Sequence, residues 1–349
     1  MTEGEFRRVL VEAPVRNELP NELKADRLLL TGAGWSKNWC GLLTEEFTNR
    51  LIGDKPIVAD KCLHPIVREA PNFEIALEEA RRHCPAESRQ TLREAVIRVF
   101  EYHDRLIRKT RSEINIGRVE PFLRRFGPNQ DRQTGYMFTL NQDLWIERNF
   151  HNFMGEYYVP APTFPGINYQ IAWFDSQFRT ANFDDRRIRA QVDPSADISI
   201  TTGFNIIKLH GSANWRTNGD LVVIGDLKVS QILKTKLLTA YNERFRDLCY
   251  SGGVRIMVIG YGYDDEHINE TLGLGCKHFG LRIWTYEPGT AFPAFRQRFF
   301  QNRIRIAMFG EEIANGIAEH CDLPFAELFS PTDDTPEAYD DWIESFFEC

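Results

Sequence analysis

Four short clusters in this chain hold residues whose types and spacing suit chemistry. In Thr31-Gly32-Ala33-Gly34-Trp35-Ser36, glycines that let the backbone turn sharply open a stretch of helical period, and the amides of a helix start attract anionic oxygens. Lys37 stands where a full G-x-G-x-x-G would carry its third glycine. The acid expected about 20 residues further on is also missing, which argues against an ordinary hydride-transfer dinucleotide site. A tight strand-to-helix connection explains this cluster as well as a ligand site does.

In Phe138-Thr139-Leu140-Asn141-Gln142-Asp143, Asn141 offers a donor and an acceptor to an amide or a water, and Asp143 offers a carboxylate to developing positive charge. The plainer reading has Asn141 end a strand and Asp143 cap a helix. In Ile206-Ile207-Lys208-Leu209-His210-Gly211-Ser212, a histidine at a strand end can exchange a proton near neutral pH. Ser212 invites comparison with serine hydrolases, but the G-x-S-x-G elbow is absent. The fourth cluster, Gly260-Tyr261-Gly262-Tyr263-Asp264-Asp265-Glu266-His267, again lets backbone approach a ligand, with acids suited to the positive first turn of a helix. A metal site from Asp264, Asp265 and His267 is disfavoured, because adjacent helical residues point apart.

The elements that must position these groups are short strands, apolar on both sides, alternating with stretches of helical period. Strands are expected at Arg27 to Thr31, Tyr136 to Leu140, Asn205 to Leu209, Val254 to Ile259, Leu281 to Tyr286 and Arg303 to Met308. Helices are expected from Ser36 through Leu51, and over Asn72 to Cys84, Glu87 to Thr110, Asp143 to Phe150, Ser230 to Tyr250, Asp264 to Lys277 and Ala291 to Phe299. That rhythm specifies an α/β fold, a Rossmann-like doubly wound parallel sheet with helices on both faces. A helical lobe lies at about 55–130, and a proline-rich insertion over about 151–204. Each catalytic cluster then falls at the carboxyl end of a strand, where such sheets bind ligands.

Charge divides the chain unevenly. Of 50 acidic residues, twelve lie in 311–349, which has no Lys or Arg; the remaining 38 acids face 42 basic residues, so residues 1–310 carry four excess positive charges within a net −8. The reading is one body over 1–310 with an acidic C-terminal segment over 311–349, whose Trp342, Ile343, Phe346 and Phe347 share one helical face. That face either docks on its own domain or meets another subunit or partner. Net acidity disfavours direct nucleic-acid binding. The first residues lack a signal-peptide apolar core and no run approaches a membrane span, so a cytoplasmic protein is expected. Seven scattered cysteines without a Cys-x-x-Cys pair read as free thiols.

Taken in order, GAGWS, TLNQD, LHGS and GYG resemble the sirtuin superfamily, with its GAG-x-S nucleotide loop, T-x-N-x-D motif, His-Gly and ribose-side glycine loop. GAGWSKNWCG and IGYGYDDEHIN look closest to the bacterial sirtuin-like branch associated with anti-phage defence, whose members hydrolyse NAD. The resemblance implies that Gly32, Ala33, Gly34 and Ser36 hold the pyrophosphate side and that Gly260, Tyr261 and Gly262 line the nucleotide further along. Asn141 and Asp143 would stand at the nicotinamide ribose, and His210 would be the catalytic base. Glu287, just past a strand, is placed by position alone to accept ribose hydroxyls; Phe73-Glu74 fits the family pattern, and a buried helix start explains it equally well.

One departure is informative. Residues 144–205 contain no cysteine, so the two Cys-x-x-Cys pairs of the deacylating members have no counterpart, and neither a zinc module nor any other bound metal is expected. NAD enters as substrate, homo-oligomers and a HerA-like ATPase partner are implied by the resemblance, and no membrane contact is expected. The alternatives are a non-catalytic NAD or ADP-ribose sensor, a structural subunit, or a protein deacylase or ADP-ribosyl transferase.

Overall fold

The structure is a computed structural model and describes residues 19–109, 116–149, 163–167, 190–191, 198–217, 220–223, 232, 235–301, 309–329 and 337–348. Nine strands are present among them: β1 (Arg27–Thr31), β2 (Thr134–Thr139), β3 (Ala190–Gln191), β4 (Gly203–Lys208), β5 (Gly211–Thr217), β6 (Asp220–Val223), β7 (Arg255–Ile259), β8 (Arg282–Tyr286) and β9 (Ile317–Cys321). Six form one sheet in the order β4-β2-β1-β7-β8-β9, every neighbouring pair parallel. From the central β1 the chain winds outward through β2 and β4, then returns to build β7, β8 and β9 on the other side. The direction of winding therefore reverses between β1 and β7, the switch point at which such sheets open a ligand crevice.

Fourteen helices accompany them: α1 (Ala33–Lys37), α2 (Thr44–Ile52), α3 (Lys55–Ala59), α4 (Leu63–Glu69), α5 (Phe73–His83), α6 (Ala86–Lys109), α7 (Ile116–Arg124), α8 (Trp145–Asn149), α9 (Lys236–Cys249), α10 (Glu266–Phe279), α11 (Phe292–Gln301), α12 (Gly310–Gly316), α13 (Phe325–Leu328) and α14 (Glu337–Glu348). Strand side chains alternate between two apolar layers. Leu28, Leu30, Ile256, Val258 and Ile283 face α9 to α12 through Tyr241, Phe245, Leu272, Phe295 and Ile313. Leu29, Met137, Met257 and Ile259 face the other layer, with Phe122 and Leu123 of α7, Trp145 of α8, Phe325 of α13 and Phe346 of α14. Strands apolar on both sides are what a sheet covered on both faces requires, and the Rossmann-like reading holds. No helix among the described residues is long and apolar enough to cross a membrane.

A third apolar cluster, including Phe47, Leu63, Phe73, Leu92 and Phe100, forms the helical lobe from α2 to α6. The lobe thus begins earlier than expected, and α7 leaves it for the sheet. Asn72 caps α5 by accepting from the Ile75 amide at 2.9 Å, and Arg81, Arg82 and His83 occupy its last turn. Cys62 and Cys84 are disulfide-bonded with Cα atoms 5.9 Å apart, a correction to the free-thiol reading. The cause is tertiary: α4 and α5 fold back on each other and bring together residues far apart in sequence.

Other expectations need correction. The single helix from Ser36 through Leu51 is two, because Cys40 takes a left-handed φ of 58° and the Gly41 amide returns to the Ser36 carbonyl at 2.8 Å, ending α1. The expected strand at 303–308 lies outside the described residues, as does most of the 151–204 insertion. The sixth strand is β9, taken from the acidic segment. Residue 310 is therefore no boundary, since 311–349 supplies an edge strand and α14 to the same body. The aromatic face of α14 docks on its own sheet, with Trp342, Ile343, Phe346 and Phe347 all buried. Arg125 clamps it, donating to both Glu344 carboxylate oxygens at 2.6 and 2.9 Å and lying 3.8 Å over the Phe347 ring.

Candidate active site at the carboxyl edge of the sheet

The strand register brings every sequence cluster to one edge. Thr31 lies level with Thr139, which lies level with Lys208; on the other side Thr31 is level with Ile259, and Ile259 with Tyr286. Gly32, Asn141, His210, Gly260 and Glu287 each follow one of these strand ends.

At the switch point the two glycine clusters pack directly together. The Gly32 amide donates to the Ile259 carbonyl at 2.9 Å, and the Gly34 amide to the Gly260 carbonyl at 2.8 Å. A Cβ on Gly32 would lie 2.5 Å from the Gly260 oxygen and 2.7 Å from the Tyr261 Cα; one on Gly260, whose φ is +66°, would lie 2.3 Å from the Trp35 nitrogen. These glycines thus have a first task, letting two backbones touch at the switch point. The ring of Tyr261 is buried and its hydroxyl donates to Asn269 Oδ1 at 3.0 Å, so this residue meets Gly32 through backbone and its side chain belongs to the core.

Beside the switch point, Ser36, Asn141 and Asp143 form a hydrogen-bonded chain. Ser36 Oγ donates to Asp143 Oδ2 at 2.5 Å and accepts from Asn141 Nδ2 at 2.8 Å. The other Asp143 oxygen accepts from the Trp145 amide at 2.8 Å, so one oxygen serves the start of α8 and the other meets Ser36. Residues 107 positions apart in sequence are thereby locked together.

Three partners were not singled out in the sequence. Lys208, pointing from the fully buried β4, donates to the Asp143 carbonyl oxygen at 2.5 Å and to Glu147 Oε1 at 2.7 Å. Ser212 Oγ donates to the same Glu147 oxygen at 3.2 Å, which gives this serine a structural partner in place of a nucleophile's role. Burial pushes the Glu147 carboxyl above its ordinary range, with the Lys208 ammonium pulling it back. The available signal was a lysine directly after the apolar pair Ile206-Ile207 in a strand, since a buried Lys needs an anionic partner. The third is His103 of α6, whose Nε2 accepts from the Leu42 amide at 3.2 Å and whose pKa burial holds below the ordinary value.

His210 is 3% exposed and its Nε2 lies 3.3 Å from Nε2 of His267. β4 and β7 are three strand spacings apart, about 14 Å at roughly 4.8 Å each. The segments that follow β4 and β7 therefore reach toward each other over β2 and β1. β5 and β6 pair antiparallel directly after His210, a hairpin the sequence reading omitted. Glu287 stands apart from this group: it accepts from Arg298 at 2.5 Å and from Thr290 Oγ1 at 3.2 Å.

The arrangement offers two glycine turns packed together at the switch point, an oriented amide and hydroxyl beside a carboxylate, and an imidazole, all on one edge. No protein-family model matches the chain, and no curated protein matches it.

Proposed function

We propose that this chain is an NAD hydrolase that cleaves the nicotinamide N-glycosidic bond. The observation that carries the reading is the Ser36-Asn141-Asp143 chain beside the β1/β7 switch point, which supports a bound dinucleotide with its nicotinamide ribose at Asn141. In the reaction the C1′–N bond breaks and its electron pair neutralises the pyridinium nitrogen, so the leaving group needs no proton. Asn141 Oδ1 orients the attacking water or the carboxamide, and Asp143 supplies negative charge near the oxocarbenium-like ribose. His210 takes the proton that the water gives up on bonding to C1′, yielding ADP-ribose and nicotinamide.

A hydrolase of this kind in the cytoplasm must be held off until needed. On this reading a homo-oligomer and a HerA-like ATPase supply the control, and phage infection is the occasion for NAD depletion. A second reading has its own observation. Because His210 is 3% exposed and held against His267, a binding module for NAD or ADP-ribose fits this edge without turnover.

The deciding experiment is chromatography of products after incubation of the purified protein with NAD, alone and with a co-purified partner. Wild type releases nicotinamide and ADP-ribose, while Asn141→Ala abolishes release and His210→Ala slows it about 10²- to 10⁴-fold, the usual worth of a general base. Tight NAD binding without nicotinamide in both preparations selects the binding module.

A further inference from the structure

We propose that His210, Asp265 and His267 form a binding site for one divalent transition-metal ion of the zinc class. Their ligating atoms all lie within 4.8 Å of one another. The two Nε2 atoms are 3.3 Å apart. Two nitrogens on a tetrahedral zinc at 2.0 to 2.1 Å are separated by about 3.3 to 3.4 Å, so the imidazoles already span one edge of such a coordination shell. An N–H···N hydrogen bond between neutral rings can also span 3.3 Å, so it is the Asp265 carboxylate, within 4.8 Å of both nitrogens, that points to an ion. Two imidazoles and a carboxylate also suit zinc, cobalt or nickel better than calcium or magnesium, which prefer oxygen ligands throughout.

The backbone explains how residues two apart share one centre. Asp265 is the residue before α10, with extended φ and ψ of −95° and 107°, while His267 lies inside the first turn. The rule that adjacent helical side chains diverge does not govern a residue outside the helix, and Asp264, the third candidate from sequence, is not in the cluster. His210 arrives from the far side of the sheet edge, so the ion would fasten the β4 and β7 loops across β1 and β2. Three protein ligands leave a fourth position for water. The inference stands on side-chain geometry and not on the hydrolase reading; an ion held at His210 Nε2 would keep that nitrogen from accepting a proton, so metal binding and NAD turnover are separate readouts.

The test uses tag-free full chain, stripped with a chelator, titrated with Co²⁺ by absorption and with Zn²⁺ against a chromogenic chelator. One ion per chain is expected, with tetrahedral Co²⁺ bands that Zn²⁺ abolishes. His267→Gln and Asp265→Asn should each weaken binding at least about 100-fold, beyond the 10- to 100-fold typical of residues that only orient a ligand. His267→Cys should keep the ion and add a thiolate-to-Co²⁺ charge-transfer band. Thermal melts establish that each variant is folded, and the cysteine variant decides alone where the glutamine variant is not. Absence of Co²⁺ binding to wild type, or equal affinity in His267→Gln together with no charge-transfer band in His267→Cys, overturns the site.

Discussion

Above β4 and β2 the sheet edge holds the Lys208–Glu147 pair, 2.7 Å apart, with 1% and 0% of the side chains exposed; above β8 it holds Arg298 and Glu287, 43% and 25% exposed. Both are lysine- or arginine-to-glutamate pairs at strand ends of the same sheet. The first also grips the Asp143 carbonyl and Ser212, so its charges are fixed members of a hydrogen-bonded group. The second sits where water competes for every contact. One half of the edge is preorganised by burial, and the other is ordinary surface, which bears on where chemistry is to be expected.

The contrast is broken most directly by removing one charge from each pair. Glu147→Ala should cost about 3 to 5 kcal/mol by urea denaturation, because it leaves the Lys208 ammonium buried and unpaired, while Glu287→Ala should cost between 0 and about 1 kcal/mol. Equal losses would mean that burial does not separate the two halves. Glycines offer a second comparison. Gly260→Ala and Gly280→Ala both place a side chain at positive φ, +66° and +71°, at about 1 to 2 kcal/mol for the conformation. Only Gly260→Ala adds a clash with the Trp35 backbone, whereas nothing lies within 4 Å at Gly280, so the first should lower the midpoint more.

The smallest effect is in pH. His103 is held neutral by burial, so its folded pKa lies below the unfolded value near 6.5 and the unfolded chain binds the proton first. Stability contributed by the neutral ring is complete above about pH 6.5 and falls on acidification, by up to about 1.4 kcal/mol per pH unit. Urea midpoints at two pH values should show a shallower acid loss in His103→Gln than in wild type.

Five of the six sheet strands were legible in the sequence, because β1, β2, β4, β7 and β8 are brief and apolar on both sides. β9 was not: as an edge strand it reads Ile-Ala-Glu-His-Cys, with its three middle residues half-buried, inside a segment whose charge suggested an appendage. Asn141, Asp143, Ser36 and His210 were legible as strand-end residues, and the strand order brings them to one edge. Their partners were not, since Lys208, Glu147 and His103, and the pairing of His267 with His210, acquire meaning only through contacts across 57 or more residues, and no local spacing encodes those. The Cys62–Cys84 link, across 22 residues, escaped because only the folding back of α4 and α5 brings the two cysteines together.

The docking of α14 sets a timetable for synthesis. Leu28 of the central strand waits for Tyr136 and then Ile256 to emerge before it is flanked, and the layer around Leu29 gains Trp342, Phe346 and Phe347 later still. A ribosome delivering this chain therefore holds a half-covered parallel sheet until residues past 340 are out, and sheets completed by such distant pairing form slowly. Over that interval the nascent protein presents bare apolar strands, the kind of surface on which holding chaperones act.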